Sequence, residues 1–214
     1  MIWIFDLDNT LFNATKHVYP WMKAAMECYI QEHLGLSAQE AQALRNLYRR
    51  QYGSTMTGLL RHHAIDPHDF VRSIHPFTEL PGMVPGNAHL KAVLAALPGE
   101  KFVYTNAARF YAQEVLRLLG VSAHFQGLFT IEDAGFAAKP DRNAFKKMLK
   151  RFAVTKESAV FVEDQARNLE TAKAFGVKTV LVHPAPTPYR FVDIRLRSLK
   201  ALPGLHKRLA VREP

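Results

Sequence analysis

The sequence predicts an α/β protein, a parallel sheet wrapped by helices, with an all-helical insertion after the first strand. Three observations carry that reading. Short apolar runs at 2–5, 101–105, 128–131, 159–163 and 178–182 alternate with amphipathic stretches at 111–119, 143–152 and 169–175, as successive βαβ units do. Residues from about 14 to 81 break the alternation and hold helical patterns but no clear strand. The residues able to do chemistry gather at the ends of the runs, where open parallel sheets bind their ligands.

Taken in order, Ile2, Trp3, Ile4 and Phe5 are β-branched or aromatic and suit a packed, pleated strand. Asp6-Leu7-Asp8-Asn9-Thr10 follows, two carboxylates at i and i+2 and then residues that favour turns. Acids so close need a compensating charge, because repulsion and desolvation penalise both. A hard divalent cation supplies it, and Mg²⁺ held by one or two carboxylates is the usual partner of phosphate chemistry. Alone, the pair fits a strand ending in a solvated acidic turn equally well.

Within the insertion, helical patterns cover 21–33, 37–52 and a shorter stretch near 56–63, with Ser37 and Glu40 spaced as a capping box. Tyr19, Trp21, Tyr48, Tyr52 and Phe70 recur at helical spacing, as the core of such a layer does. His62, His63, His68 and His75 have no metal-ligand spacing with acids and are expected mostly on the surface. Pro76, Pro81, Gly82, Pro85 and Gly86 punctuate the return to the sheet. The run at 101–105 ends in Thr105 with Asn106 next, and the run at 159–163 ends in Glu163 with Asp164 next. Lys139 stands before Pro140, a residue suited to opening a helix. Gly120 and Gly176 follow two amphipathic stretches, where a left-handed cap suits glycine.

A chain of 214 residues, 48% apolar and 22% charged, is long enough for one soluble domain plus a small insertion. No apolar stretch approaches bilayer length. Met1 leads straight into the first strand, so no signal peptide is expected. Cys28 is the only cysteine, which excludes an intramolecular disulfide and a cysteine-cluster metal site. A cytoplasmic protein is the expectation. The net charge is +9, and Arg190, Arg195, Arg197, Lys200, Lys207, Arg208 and Arg212 supply much of the excess. No aromatic stacking platform accompanies them, so a solvated basic tail with little part in the chemistry is expected rather than a nucleic-acid surface. Its field would still gather anionic substrates.

In their order on the strand ends, Asp6-Leu7-Asp8-Asn9-Thr10, Thr105, Lys139 and the stretch from Glu163-Asp164-Gln165 through Lys173 resemble the four motifs of the haloacid dehalogenase-like (HAD) phosphatase superfamily. The resemblance spans roughly residues 1–185, and more narrowly the chain is similar to the pyrimidine 5′-nucleotidase-like branch. It implies a Rossmann-like three-layer core of residues 1–13 and 82–185, a helical type 1 cap of 14–81, and a basic segment of 186–214. It also implies Mg²⁺-dependent hydrolysis of a small phosphorylated metabolite, with a pyrimidine nucleoside monophosphate favoured by the branch and sugar phosphates, phosphoglycolate and phosphorylated vitamins open.

By the same resemblance, Asp6 is the nucleophile that becomes an aspartyl-phosphate, and Asp8 is the general acid and base. Thr105, Asn106 and Lys139 hold the phosphoryl group, Lys139 also holding Asp6. Asp6, Asp8 (through its backbone carbonyl) and Asp164 are the metal ligands, with Glu163 and Asn168 in the outer shell. The dehalogenase branch lacks the second aspartate, so Asp8 argues for phosphoryl transfer. Glu163 stands where many relatives carry aspartate; a simple partner for a nearby basic residue is its alternative role. His17, Tyr19 and Arg49 are the candidates for leaving-group contact. No nucleic acid or membrane partner is expected, and a homodimer is left open. Two alternatives stand beside this reading: a phosphomutase using the same nucleophile, and a non-catalytic member that binds nucleic acid or protein. The intact set of catalytic residues argues against the latter.

Overall fold

In the computed structural model, residues 1–75, 77–155, 158–185 and 189–205 are described. The sheet is built from β1 (Ile2–Phe5), β2 (Glu100–Tyr104), β3 (Gly127–Phe129), β4 (Ala159–Glu163), β5 (Lys178–Val182) and β6 (Ile194–Leu196). All six run parallel in the order β3-β2-β1-β4-β5-β6, which makes β1 an inner strand. A parallel sheet needs cover on both faces, and Trp3, Ile4 and Phe5 are accordingly all buried.

Between β1 and β2 lie α1 (Val18–Leu34), α2 (Ala38–Tyr52), α3 (Thr55–His62), α4 (Pro67–Ile74), the single turn α5 (Leu80–Met83) and α6 (Ala88–Ala95). Later come α7 (Arg109–Leu118), α8 (Arg142–Arg151) and α9 (Ala166–Ala174). Trp3 and Phe5 share a core with α6 and α7, while Ile4, Tyr104 and Phe161 share another with α8 and α9. The result is helix, sheet, helix, with α1–α4 as an added helical layer.

Local chemistry sets the helix ends of that layer. The capping box at α2 is formed: Glu40 N–H donates to Ser37 Oγ at 3.3 Å, and Ser37 N–H donates to the Glu40 carboxylate at 2.9 Å. Ser54 caps α3 and Asp66 caps α4, each by accepting a backbone N–H. Gly58 lets α3 lie flat on α2, for a Cβ there would stand 2.2 Å from Tyr48 Cγ. Gly120 and Gly176 take left-handed angles just past α7 and α9, as expected of them.

The structure departs from the sequence reading in places. Strand β2 begins and ends one residue earlier than expected, so Thr105 follows it rather than ending it, and β3 covers Gly127–Phe129 rather than 128–131. Pro140 does not open a helix: Asp141 is the N-cap of α8, accepting from Ala144 N–H at 2.8 Å, and Pro140 precedes it. Among the histidines expected on the surface, His75 is buried. The segment after 185 is not merely a solvated tail. Its residues 194–196 form β6 beside β5, and Leu199, Leu202 and Leu205 are buried in the main core. Arg195 closes the loop before it, donating to the carbonyls of His183 and Ala185 at 3.1 and 3.0 Å. Arg190, Arg197 and Lys200 are exposed, and Lys207, Arg208 and Arg212 lie outside the described residues. No helix among the described residues is long and apolar enough to cross a membrane.

Candidate active site

Register assembles the site. Phe5 pairs with Val103 of β2 and Val162 of β4, so the next residues, Asp6, Tyr104 and Glu163, come level at the carboxyl edge. Asp6 N–H donates to the Val162 carbonyl at 2.9 Å, extending the ladder by one step. Asn9 then takes a left-handed backbone (φ 64°), which asparagine tolerates, and turns the chain back over the strand end.

Lys139 is the hub. Its Nζ donates to Asp6 Oδ1 at 2.6 Å, Glu163 Oε2 at 2.8 Å and the Tyr104 carbonyl at 3.0 Å. Burial works against its charge, but Asp6 and Glu163 outweigh burial and hold the ammonium well above its ordinary pKa. Asn106 braces this lysine through the backbone, its Oδ1 accepting Lys139 N–H at 2.7 Å. Thr10 Oγ donates to the other Asp6 oxygen at 3.1 Å.

Glu163 is fully engaged. Its Oε1 accepts the backbone N–H groups of Asp164 and Gln165, each at 3.0 Å. Its Oε2 accepts from Lys139 and, at 2.9 Å, from Asn168 Nδ2. Burial pushes this carboxyl up, yet Lys139 and the donated hydrogen bonds together pull it below the usual range. Asn168 is thus a buried strut rather than a helix-surface residue.

The remaining carboxylates are under electrostatic load. Asp6 is pushed up to about 7, first by burial and then by the Glu163 charge, against the pull of Lys139. Asp164 is pushed to about 9, by burial and then by its hydrogen-bonding contact with Glu163 and the charges of Glu163 and Asp6. Asp8 rises to about 6 through burial, tempered by a hydrogen bond from Tyr111 Oη to its Oδ1 at 2.8 Å. Four acids share one lysine. Oxygens of Asp6, Glu163 and Asp164 lie within 4.8 Å of one another, and Asp164 Oδ1 is buried without a partner. An all-oxygen, electron-rich set with an orphaned carboxylate oxygen fits a hard divalent cation. Each Glu163 oxygen already accepts two hydrogen bonds, whereas each Asp6 oxygen accepts one and Asp164 Oδ1 none, so Asp6 and Asp164 are the side chains with lone pairs left to hold it.

Thr105 is buried, and its Oγ accepts Ala107 N–H at 3.0 Å. That leaves its O–H free to donate towards an anion. Asp8 and Asn106 line a chamber of about 180 Å³ beneath the helical layer. Tyr19, Met22, Met26, Ser54 and Thr55 line both this chamber and a cleft of about 660 Å³ that also holds Arg45 and Arg49. Burial, and next the charges of Asp8 and Asp6, drive the Tyr19 phenol far above its usual pKa. His17 does not join Tyr19 and Arg49; it is exposed and borders a separate hollow of about 370 Å³. The fold adds Thr10, Tyr111 and His75 to the surroundings of the site's acids. Only Thr10 carried a local signal, being within the acidic motif; Tyr111 lies 103 residues from Asp8.

The haloacid dehalogenase-like hydrolase family profile matches residues 3–182. The chain belongs to that family. Among its relatives, phosphate metabolism protein 8 of Saccharomyces cerevisiae is 24% identical over 198 residues, covering 84% of this chain and 60% of the yeast protein. The chain therefore spans less than two thirds of that relative's length. Glyceraldehyde 3-phosphate phosphatase of Methanocaldococcus jannaschii is 25% identical, covering 96% of both chains. The crystal structure of a HAD phosphatase from Thermococcus onnurineus shares the fold with a TM-score of 0.68 at 20% identity, covering 96% of this chain and 97% of its own.

Proposed function

We propose that this HAD-like hydrolase is a Mg²⁺-dependent phosphomonoesterase working through an aspartyl-phosphate on a small phosphorylated metabolite. The observation that carries the reading is the pairing of Asp6, clamped by Lys139, with Asp8, whose carboxyl sits near 6 and is oriented by Tyr111. Burial brings both acids within proton-carrying range of neutrality, and their partners separate them: the Lys139 ammonium draws Asp6 towards the anion that attacks, and Asp8, oriented by a phenol, keeps a proton to give.

In the first step an Asp6 oxygen attacks phosphorus and the bond to the leaving oxygen breaks, that oxygen taking the proton from Asp8. Tyr111 occupies Asp8 Oδ1, which leaves Oδ2 for that proton. In the second step Asp8 takes a proton from water as the water oxygen attacks phosphorus, and the bond to Asp6 breaks to free inorganic phosphate. Splitting the reaction in this way replaces one hard displacement with two easier ones. Lys139 and the Thr105 hydroxyl offset the charge of the phosphoryl oxygens. Bound at Asp6, Asp164 and the Asp8 carbonyl, Mg²⁺ would supply further charge neutralisation.

For the leaving group, the branch resemblance favours a pyrimidine nucleoside 5′-monophosphate, and the name of the archaeal relative adds a triose phosphate. Tyr19 and Arg49 border the cleft such a group would enter. The test is phosphate release from UMP, CMP, purine monophosphates, glyceraldehyde 3-phosphate, other sugar phosphates and phosphoglycolate, with and without Mg²⁺. Turnover that requires Mg²⁺ and vanishes in a folded Asp6→Asn variant is expected; a kcat/KM preference for pyrimidine monophosphates supports the narrower reading. Isomerised sugar phosphate without free phosphate would instead indicate the mutase chemistry.

A further inference from the structure

His75 is the one histidine among the described residues that is both buried and short of a hydrogen-bond partner. It caps the C-terminal end of α4, in the helical layer, and lies against the rings of Phe110 and Tyr111 on α7, in the core. Its Nδ1 is 2.6 Å from the Val71 carbonyl. A carbonyl only accepts, so Nδ1 carries the hydrogen, and in the neutral ring Nε2 is a bare acceptor. Burial holds the ring neutral, its pKa lowered to about 4. Such an acceptor closed off from water costs free energy unless something donates to it.

The surroundings identify the donor's class. His75 borders the same chamber of about 180 Å³ as Asp8 and Asn106. A cavity of roughly 150 Å³ takes one benzene ring, so this chamber suits a leaving group of about six to eight non-hydrogen atoms. Its other walls include Met22, Met26, Phe70 and Ile74. A water beside Nε2 would find few further partners among these groups and the two aromatic rings, though ordered water needs two to four. A hydroxyl tethered to a bound phosphate needs only the one acceptor. We propose that His75 is a specificity-determining residue, whose Nε2 accepts a hydrogen bond from a hydroxyl on the first few carbons of the leaving group. The substrate class is then a hydroxylated phosphate ester, either a short polyol or sugar wholly inside the chamber or a ribose whose base reaches the adjoining cleft. Nε2 is closed off from water in this structure, so the proposed contact requires α4 to move off α7 when substrate binds. The inference rests on the phosphomonoesterase reading.

The experiment compares matched esters: glycerol 1-phosphate against propyl phosphate, and UMP against 2′,3′-dideoxyuridine 5′-monophosphate. Wild type, His75→Phe and His75→Gln are assayed for kcat/KM after circular dichroism establishes that each is folded. In the wild type, the hydroxylated member of one pair is turned over about tenfold or more faster than its partner. His75→Phe loses that preference by slowing only the hydroxylated ester, and His75→Gln, which keeps an acceptor oxygen, retains part of it. The pair that responds distinguishes polyol from ribose. Equal losses on both members, or an unchanged ratio, overturn the inference.

Should His75→Phe not fold, the ¹⁵N resonance of His75 Nε2 in folded Asp6→Asn is followed during titration with the same four esters. A shift with a hydroxylated ester alone supports the assignment, and no shift with any of them overturns it. The two readings fail separately. Phosphate release without hydroxyl selectivity removes the role of His75 and leaves the phosphatase standing. A hydroxyl-specific shift in a chain that releases no phosphate does the reverse.

Discussion

Glu163 accepts four hydrogen bonds in a space closed to water, and no single donor explains it. Removing it as Glu163→Ala strands Asn168 Nδ2 and two backbone N–H groups and leaves Lys139 with one carboxylate. It also removes a like charge from beside Asp6 and Asp164, but those acids already relieve repulsion by holding protons. The loss of partners should win, at about 3–5 kcal/mol, read as a lower urea midpoint with an unchanged m-value. Asp164→Ala should behave in the opposite sense, because its Oδ1 has no partner to strand. Without Mg²⁺ the variant should melt no lower than the parent. With Mg²⁺ the parent alone should rise, by about 2.7 kcal/mol at a hundredfold excess over Kd; an equal rise in both would exclude Asp164 as a ligand. Asp6, Lys139 and Asp164 were legible because their types and order along the strand ends form a pattern. Tyr111 and His75 were not: each acts through a neighbour that only folding brings near, and an isolated Tyr or His in a helical stretch reads as packing.

Secondary-structure elements divide the same way. The capping box of α2 is a local device, visible as Ser37 and Glu40 three residues apart, and Ser37→Ala should cost about 1 kcal/mol. A melting point unchanged within error would mean the cap is idle. The start of α4 carried an equally local signal, Asp66 before Pro67 at the first helical turn, and its short length hid it. Strand β6 is different. Its Ile-Arg-Leu sequence is too short and too charged to read as a strand, and it exists because tertiary contacts hold it. Asp193 supplies them: its carboxylate accepts Thr179 N–H at 2.9 Å and Thr179 Oγ–H at 3.0 Å, and pairs with Lys173 on α9. Asp193→Ala should therefore destabilise the chain by about 2 kcal/mol, and amide exchange should quicken in β6 and the outer edge of β5 before it does in β1. Uniform loss of protection across the sheet would refute that order. A basic tail was the natural reading of these residues because charge is visible in a sequence and a tether from Asp193 is not.

For the whole molecule, the decisive relation is between the helical layer and the sheet, and His75 sits in that seam with Tyr111, Phe110 and Glu132 as its neighbours from the core side. The unfolded chain protonates this imidazole near 6.5, while burial holds it neutral in the fold down to about 4. Between those values the unfolded state binds more protons, so stability falls as pH falls. The contribution is fully present above about 6.5, and about 3 kcal/mol is lost by pH 4. The raised carboxyls at the site act in the opposite direction: in the metal-free fold, Asp6, Asp8 and Asp164 keep protons that the unfolded chain releases, and their contribution is lost as pH rises through about 6 to 9. A single pH profile of the parent mixes the two effects. Subtracting the profile of His75→Gln cancels the carboxyl contribution common to both chains and leaves the histidine. The difference in unfolding free energy should be flat above pH 7 and slope against the parent between pH 6.5 and 4. If the two profiles stay parallel throughout, His75 is protonated as readily in the fold as out of it, and the seam is open to water.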